Sequence, residues 1–341
     1  MPEYTATRRD LVRTAASLPL AMLLTASPAR GATVTPCPAS ERRVGIAYSL
    51  WHRNQQWQKA AGPHKPWGEP ELGFYRSDDT AILTRHAGWL SGAGVDFVVV
   101  DWSNDLGMDV RRPGGPASQR FIETATETLF QTWGALPAAP RVVLMIGAPG
   151  DKAALRNGQL TAKANEVHAL FVADAVRARL LQRYLGKPLL LVYVGTPSPW
   201  PNGLPPWRDD RFTVRFVTGF VTQQRTLLGP GRVSKYGYWS WEDRGQPSYP
   251  VFDGHPENMT VVAAWRGKGS PGRDGGRTYI RQWEDARRVG PRFVLGGTFN
   301  EWWISEQISP GDSKDIEPSR EFGWRYMDIL KQQATLFKQG K

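Results

Sequence analysis

Phe293-Val294-Leu295-Gly296-Gly297-Thr298-Phe299-Asn300-Glu301-Trp302-Trp303-Ile304-Ser305-Glu306-Gln307 is the stretch that decides the fold. Its first five residues form an apolar run too short for a helix and set off by Pro291 and two glycines, so they read as a buried strand. The strand runs into Asn300-Glu301, so its C-terminal end delivers polar groups. A carboxylate beside an amide and two indoles suits sugar chemistry. The carboxylate can exchange a proton with a glycosidic oxygen, the amide can bind hydroxyls, and indoles offer flat apolar faces to pyranose rings. The same residues would also serve a plainer purpose, Glu301 pairing with a core arginine and the tryptophans packing.

Working outward, short apolar runs recur along the chain at Val44 to Tyr48, Phe97 to Asp101, Val142 to Gly147, Leu189 to Val194, Thr213 to Val217, Tyr236 to Trp239 and Thr260 to Ala264. With Phe293 to Thr298 they make eight strand candidates. Helical patterns fall between several of them. One follows Ser77 as N-cap, with Ile82, Leu83, Ala87 and Leu90 on one face, and ends at Gly92 and Gly94. Others span about Ala117 to Trp133, Thr161 to Tyr184 and Tyr279 to Val289, and a last helix is capped by Ser319. Strands alternating with helices, eight strands in all, predict an α/β fold, a single-domain (β/α)8 TIM barrel. Thr196 to Asp210 and Asp243 to Glu257, rich in Pro, Gly and Trp, read as long loops. They make the barrel irregular and keep an open doubly wound sheet as the alternative.

In a barrel the C-terminal strand ends form the site. They collect Tyr48, Asp101-Trp102-Ser103-Asn104, Tyr193, Trp239, Trp241, Glu242, Asp243 and Asn300-Glu301-Trp302, and the long loop after the first strand adds Trp51 and His52. Glu301 is the first candidate for acid–base work, with Glu306 or Asp101 as second carboxylate. Asp101 could instead close a βα turn, and Glu242 and Asp243 could sit on a solvated loop. With five histidines and one cysteine, no metal-ligand spacing emerges. No dinucleotide or phosphate-loop fingerprint and no Gly-x-Ser-x-Gly occurs, so neither a cofactor nor a serine nucleophile is expected.

The N-terminus carries Arg8-Arg9 ahead of a mildly apolar block from Ala15 to Ala26 and a small-residue site near Ala29-Arg30-Gly31. Residues 1–31 therefore read as a twin-arginine signal peptide handled by that export machinery, 32–43 as a linker and 44–341 as the barrel. The apolar block is well short of the ~20 residues that span a bilayer. The expected location is periplasmic or extracellular. The lone Cys37 closes no intrachain disulfide, in keeping with folding before export. The net charge of +11 invites a nucleic-acid reading. The arginines are scattered and no recognition module surrounds them, so no nucleic-acid partner is expected.

Gly45-Ile46-Ala47-Tyr48, Trp67-Gly68-Glu69-Pro70, His86-Ala87-Gly88-Trp89-Leu90, Gly94-Val95-Asp96-Phe97 leading to Asp101-Trp102-Ser103-Asn104, and Thr298-Phe299-Asn300-Glu301-Trp302 together resemble the glycoside hydrolase family 99 and family 71-like barrels. Those are endo-α-mannosidases, α-mannanases and α-1,3-glucanases. The resemblance implies an α-linked mannan or glucan as carbohydrate substrate and retaining hydrolysis through a 1,2-anhydro sugar. In family 99 the last strand carries Asn-Glu-Trp-x-Glu. Glu301 matches the first glutamate, but Ile304 stands at the second. Either Glu306 is brought in by a remodelled loop, or another carboxylate takes the role, or the chain is a carbohydrate-binding barrel without hydrolysis. Asp315-Ile316-Glu317-Pro318 resembles the Ile-Glu-Pro that follows the family motif.

Overall fold

The computed structural model describes residues 34–55, 57, 65–103, 115–147, 157–195, 203, 205, 207–219, 221–265, 267, 269–302 and 310–341. Eight parallel strands run β1 Arg43–Tyr48, β2 Phe97–Trp102, β3 Arg141–Gly147, β4 Lys187–Tyr193, β5 Thr213–Thr218, β6 Trp239–Ser240, β7 Asn258–Val261 and β8 Phe293–Thr298. Their order in the sheet is β7-β8-β1-β2-β3-β4-β5-β6. β8 thus pairs with both β7 and β1, so the sheet curls back on its own start. The remaining seam lies between β6 and β7, where Thr260 Oγ1 donates to Ser240 O. The sheet is a nearly closed barrel, and the chain is a single-domain (β/α)8 fold.

Alternation along the strands divides the core in two. Val44, Ile46, Val98, Val100, Leu144, Ile146, Leu190 and Val192 pack outward against the helical layer. Phe97, Val99, Val143, Met145, Leu189, Leu191, Val217, Trp239, Phe293 and Leu295 fill the interior. Gly45 makes room there, since a Cβ at that position would fall 2.3 Å from the Phe97 ring. In β8 the register with β1 slips after Ile46, so that Ala47 faces Thr298. Gly297 lies at the slip, where a Cβ would meet Val262 Cγ1 at 2.7 Å. Such a bulge re-aims the residues beyond it, here Phe299 to Trp302.

The helices are α1 Thr80–Gly92, α2 Gly115–Gly134, α3 Gln159–Val167, α4 Arg277–Val289 and α5 Arg325–Lys338. The cap of α1 is Asp79, whose Oδ1 accepts from the Ala81 and Ile82 N–H groups, rather than Ser77. Ser77 Oγ instead accepts from His52 N. α5 begins at Arg325, and Ser319 caps only a preceding turn through Phe322 N. The expected long helix to Tyr184 is broken. α3 passes into a wider turn over His168–Val172, and Asp174 then captures the Val176 and Arg177 N–H groups. β6 is two residues long because Gly237, at φ 77°, ends extended backbone just before it. Among the described residues no α-helix separates β4, β5, β6 and β7, and a short hairpin, Val251–Phe252 with His255–Pro256, lies before β7. This is the irregular side that the loop-like segments predict. Val34–Lys341 forms one compact unit. Its first residues, read from sequence as linker, pack onto the barrel. Cys37 is buried and bonds Gly290 O through its N–H, while the Arg42 guanidinium donates to Cys37 O and Phe337 O. Among the described residues no helix is long and apolar enough to cross a membrane.

Candidate active site

The turn after β8 is organised by Asp315. Its Oδ1 accepts from Thr298 Oγ1 and from Glu301 N at 2.8 Å. Its Oδ2 accepts from Trp302 N at 2.8 Å and from Trp67 Nε1 at 2.7 Å. Trp302 takes φ 63°, a conformation uncommon for a residue with a Cβ. Its indole holds it there, stacking on Trp67 with centroids 4.7 Å apart and donating to Glu317 Oε2 at 2.5 Å. Trp302 is thereby fixed in the wall, and Glu301 turns to a different set of neighbours.

Those neighbours are charged. Lys314 Nζ lies 3.2 Å from Glu301 Oε2 and 3.0 Å from Glu242 Oε2, with Arg244 Nε 3.5 Å from Glu242 Oε1. Burial raises the Glu301 pKa to about 7. The carboxylates of Asp315 and Glu242 push the same way, and Lys314 opposes them. Burial also works to raise Glu242, but Lys314 and then Arg244 outweigh it and hold that carboxyl below its usual value. For Lys314 burial disfavours the charge, yet Glu301 and Glu242 overcome it and its pKa is raised. Across the mouth Asp101 is raised by burial, against hydrogen bonds from Ser103 and the charge of Lys314. Burial, then Asp101, raises the Tyr193 phenol, which also feels Lys314, Glu242 and Glu301. These groups therefore form one electrostatic unit. Chemically, it offers a carboxyl that is near half ionised at neutral pH beside a fixed cation and a second, ionised carboxylate.

Of the residues picked out from sequence, the structure brings Asp101, Tyr193, Glu242 and Glu301 together. Trp51 joins them by donating from Nε1 to Glu301 O, and Trp241 by its ring contact with Tyr193. Trp51, Tyr193 and Trp241 are all only partly buried, so aromatic surface remains open at the mouth. Others lie elsewhere. Tyr48 faces outward, its hydroxyl bonded to His86 Nδ1 at 2.7 Å, instead of converging on the mouth. Trp102 also points to the helical layer, donating to Thr126 Oγ1 and packing on Phe171. Trp239 is fully buried in the barrel interior and donates to Glu257 Oε2. Asn300 is a clamp between strand ends, accepting from Ser49 N and donating to Ser49 O and Tyr75 Oη. His52 is buried against Trp57 with Nε2 at Asn300 O, and burial pulls its pKa down to about 3, so it stays neutral. Asp243 fixes a loop through Thr222 N and Ser248. Asn104, Glu306 and Ile304 lie outside the described residues, as do residues 1–31.

Sequence reasoning did not find Lys314. It is one cation among many in the sequence, and only the approach of its loop to β6 and β8 gives it meaning. Asp315 and Glu317 carried a signal, the Ile-Glu-Pro segment, but not their roles. Glu317 accepts from Tyr75 Oη, Trp302 Nε1 and His86 Nε2 behind the site. No cluster of three His, Cys, Asp or Glu side chains placed to hold a metal ion occurs among the described residues.

No protein-family model matches the chain, and no curated sequence matches it closely. Solved structures do. An endo-alpha-mannosidase of glycoside hydrolase family 99 from Bacteroides thetaiotaomicron, in complex with bis-tris-propane, aligns with TM-score 0.59 and 14% identity, covering 87% of this chain and 98% of that one. A second structure of a family 99 endo-alpha-mannosidase from that organism gives 0.53 and 15%, covering 88% and 98%. A glycoside hydrolase-like protein gives 0.51 and 12%, covering 89% and 97%. The chain has the barrel fold of these proteins.

Proposed function

We propose that the chain is an exported glycoside hydrolase that cleaves an α-linked mannan or glucan, with Glu301 as its proton-transfer group. The observation that carries this reading is the placement of Glu301. It follows the barrel strand β8, at a mouth lined by Trp51, Tyr193 and Trp241, with a pKa raised to about 7. A carboxyl poised there can take a proton from a sugar hydroxyl or from water and return it to a leaving oxygen, work that typically supplies about 10²–10⁴-fold in rate. The α-linkage and a mannan substrate draw support from the family 99 neighbours, which are named as endo-alpha-mannosidases, while the glucan alternative draws only on the family 71-like sequence resemblance. Export draws on Arg8-Arg9 and the apolar block behind it.

A second reading, a carbohydrate-binding barrel without hydrolysis, is favoured by Ile304 standing where family 99 has its second glutamate. One experiment separates the two. The protein is incubated with a panel of α-mannans and α-glucans while reducing-end release and binding are measured, for wild type and Glu301→Gln. Hydrolysis by wild type, lost by about 10²–10⁴-fold in the variant with binding retained, is the expected outcome. Binding without release by wild type makes the chain a binding module, and full turnover by Glu301→Gln makes Glu301 structural.

A further inference from the structure

Three loops meet at Lys314. Glu301 comes from the end of β8, Glu242 from the end of β6, and Lys314 from the segment that also carries Asp315 and Glu317. One ammonium nitrogen stands 3.2 Å from a Glu301 oxygen and 3.0 Å from a Glu242 oxygen. The three side chains are 11–13% exposed, so water screens the contacts little. Among the described residues, the other charged or titratable groups facing Glu301 have partners of their own or stand farther off. Asp315 is committed to Thr298 Oγ1 and to the N–H groups of Glu301 and Trp302. Asp101 accepts from Ser103 N, Arg244 sits on the far side of Glu242, and Tyr193 is a phenol held neutral. Among the described residues Lys314 is thus the single cation in contact with Glu301, and it is shared with Glu242. A shared cation makes the two carboxylates compete: whatever strengthens one contact weakens the other.

We propose that Lys314 and Glu242 are positioning residues that together set the ionisation of Glu301, Lys314 by direct contact and Glu242 by drawing on the same ammonium. The proposal rests on Glu301 as the proton-transfer group, and it supplies what Ile304 leaves open, a second carboxylate that acts on the first through a cation. Removing Lys314 takes away the one contact among the described residues that favours ionised Glu301. Removing the charge of Glu242 deletes a neighbouring anion and frees the ammonium for Glu301. The two changes therefore move the Glu301 pKa in opposite directions, which a merely structural salt bridge has no reason to do.

The test reads the carboxyl directly. Protein labelled with carbonyl-¹³C glutamate is titrated by NMR, the Glu301 resonance being assigned through its loss in Glu301→Gln. Lys314→Met is expected to raise the Glu301 pKa by about 1–3 units and Glu242→Gln to lower it, while Lys314→Arg, which keeps the charge, stays close to wild type. The pH–rate profile on any glycan the wild type cleaves follows the same shifts. Circular dichroism checks that each variant is folded. Should Lys314→Met fail to fold, Glu242→Gln decides alone, a downward shift supporting the proposal. A Glu301 titration unmoved by Glu242→Gln, or moved the same way by both variants, overturns it. Because the titration needs no substrate, opposite shifts in a protein that cleaves nothing would refute the hydrolase reading and leave the coupling standing. Cleavage with an unmoved titration would do the reverse.

Discussion

Two buried glutamates sit at opposite ends of the barrel interior and are treated in opposite ways. At the floor, Glu257 precedes β7 and accepts from Arg215 through Nε and Nη2, from Tyr184 Oη at 2.8 Å and from Trp239 Nε1 at 2.8 Å. At the mouth, Glu301 follows β8, and among the described residues its carboxylate has one cation, shared with Glu242. The floor glutamate is 3% exposed and supplied with donors on both oxygens, an arrangement that fixes structure. Among the described residues the mouth glutamate has fewer partners than the floor one, and burial, with Asp315 and Glu242 pushing the same way, raises its pKa against Lys314. Under-satisfaction of this kind is kept where a proton has to move.

The largest test of the contrast is at the floor. Glu257→Gln keeps the shape of the side chain but leaves the Arg215 guanidinium, itself only 16% exposed, without a counter-charge. Breaking one side of such a pair typically costs about 3–5 kcal/mol, so urea unfolding should show a loss of that order. Turnover per folded molecule should hardly change. A variant of unchanged stability but much reduced turnover would erase the distinction between floor and mouth.

At the mouth the corresponding change has the opposite sign and depends on pH. Glu301 has a folded-state pKa of about 7 against an ordinary value of 4.5, so between those values the folded chain binds more protons than the unfolded one. Its contribution to stability is therefore present below pH 4.5 and lost as pH rises towards 7. Glu301→Gln does not titrate and should gain on wild type by about 1–3 kcal/mol between pH 4.5 and pH 8. The measurement is urea unfolding of both proteins at the two pH values. An equal difference at each would mean that Glu301 titrates normally and that the mouth is no less satisfied than the floor.

Much of this architecture is legible in the residues. Six of the eight apolar runs mark their strands closely, while Tyr236 to Trp239 and Thr260 to Ala264 overlap β6 and β7 only in part, and the run leading to Asn300-Glu301 puts the central carboxyl at the mouth. Facing is not legible, for a physical reason. Parallel barrel strands are buried on both sides, so Phe97 to Val100 shows no polar alternation that would say which face is inner. Asp101 and Trp102 are neighbours in sequence, yet one opens to the mouth while the other is bonded to Thr126 in the helical layer. Tyr48 shares the phase of Val44 and Ile46 and goes outward with them. The cap of α1 illustrates the same limit at short range. Ser77 and Asp79 are both capping types, and what takes Ser77 away is the backbone N–H of His52, a contact made across the fold. Lys314 is the extreme case, since a lysine in a loop says nothing until two carboxylates are brought to it.

Trp239 in β6 and Trp241 just beyond it sharpen the contrast over three residues. They are two residues apart, so alternation sends both to the inner face, and Trp241 N still pairs with Thr218 O beyond the end of β6. Trp239 is closed over by Phe293, at 5.3 Å between centroids, and by Glu257, and is fully buried. Trp241 meets Tyr193 at 6.4 Å and is only partly buried. An indole that is open at the mouth contributes little to the folded state and has a flat apolar surface to offer a sugar ring. Trp241→Ala should accordingly change the unfolding free energy by less than about 1 kcal/mol. It should raise KM about tenfold, equivalent to roughly 1.4 kcal/mol of binding, with kcat nearly unchanged. Steady-state kinetics on the best glycan from the panel, read beside urea unfolding, give both numbers. A fall in kcat equal to the fall in kcat/KM would place Trp241 in contact with the reacting sugar rather than with a neighbouring one. A large loss of stability with unchanged KM would make it a second Trp239, an interior residue that happens to lie near the rim.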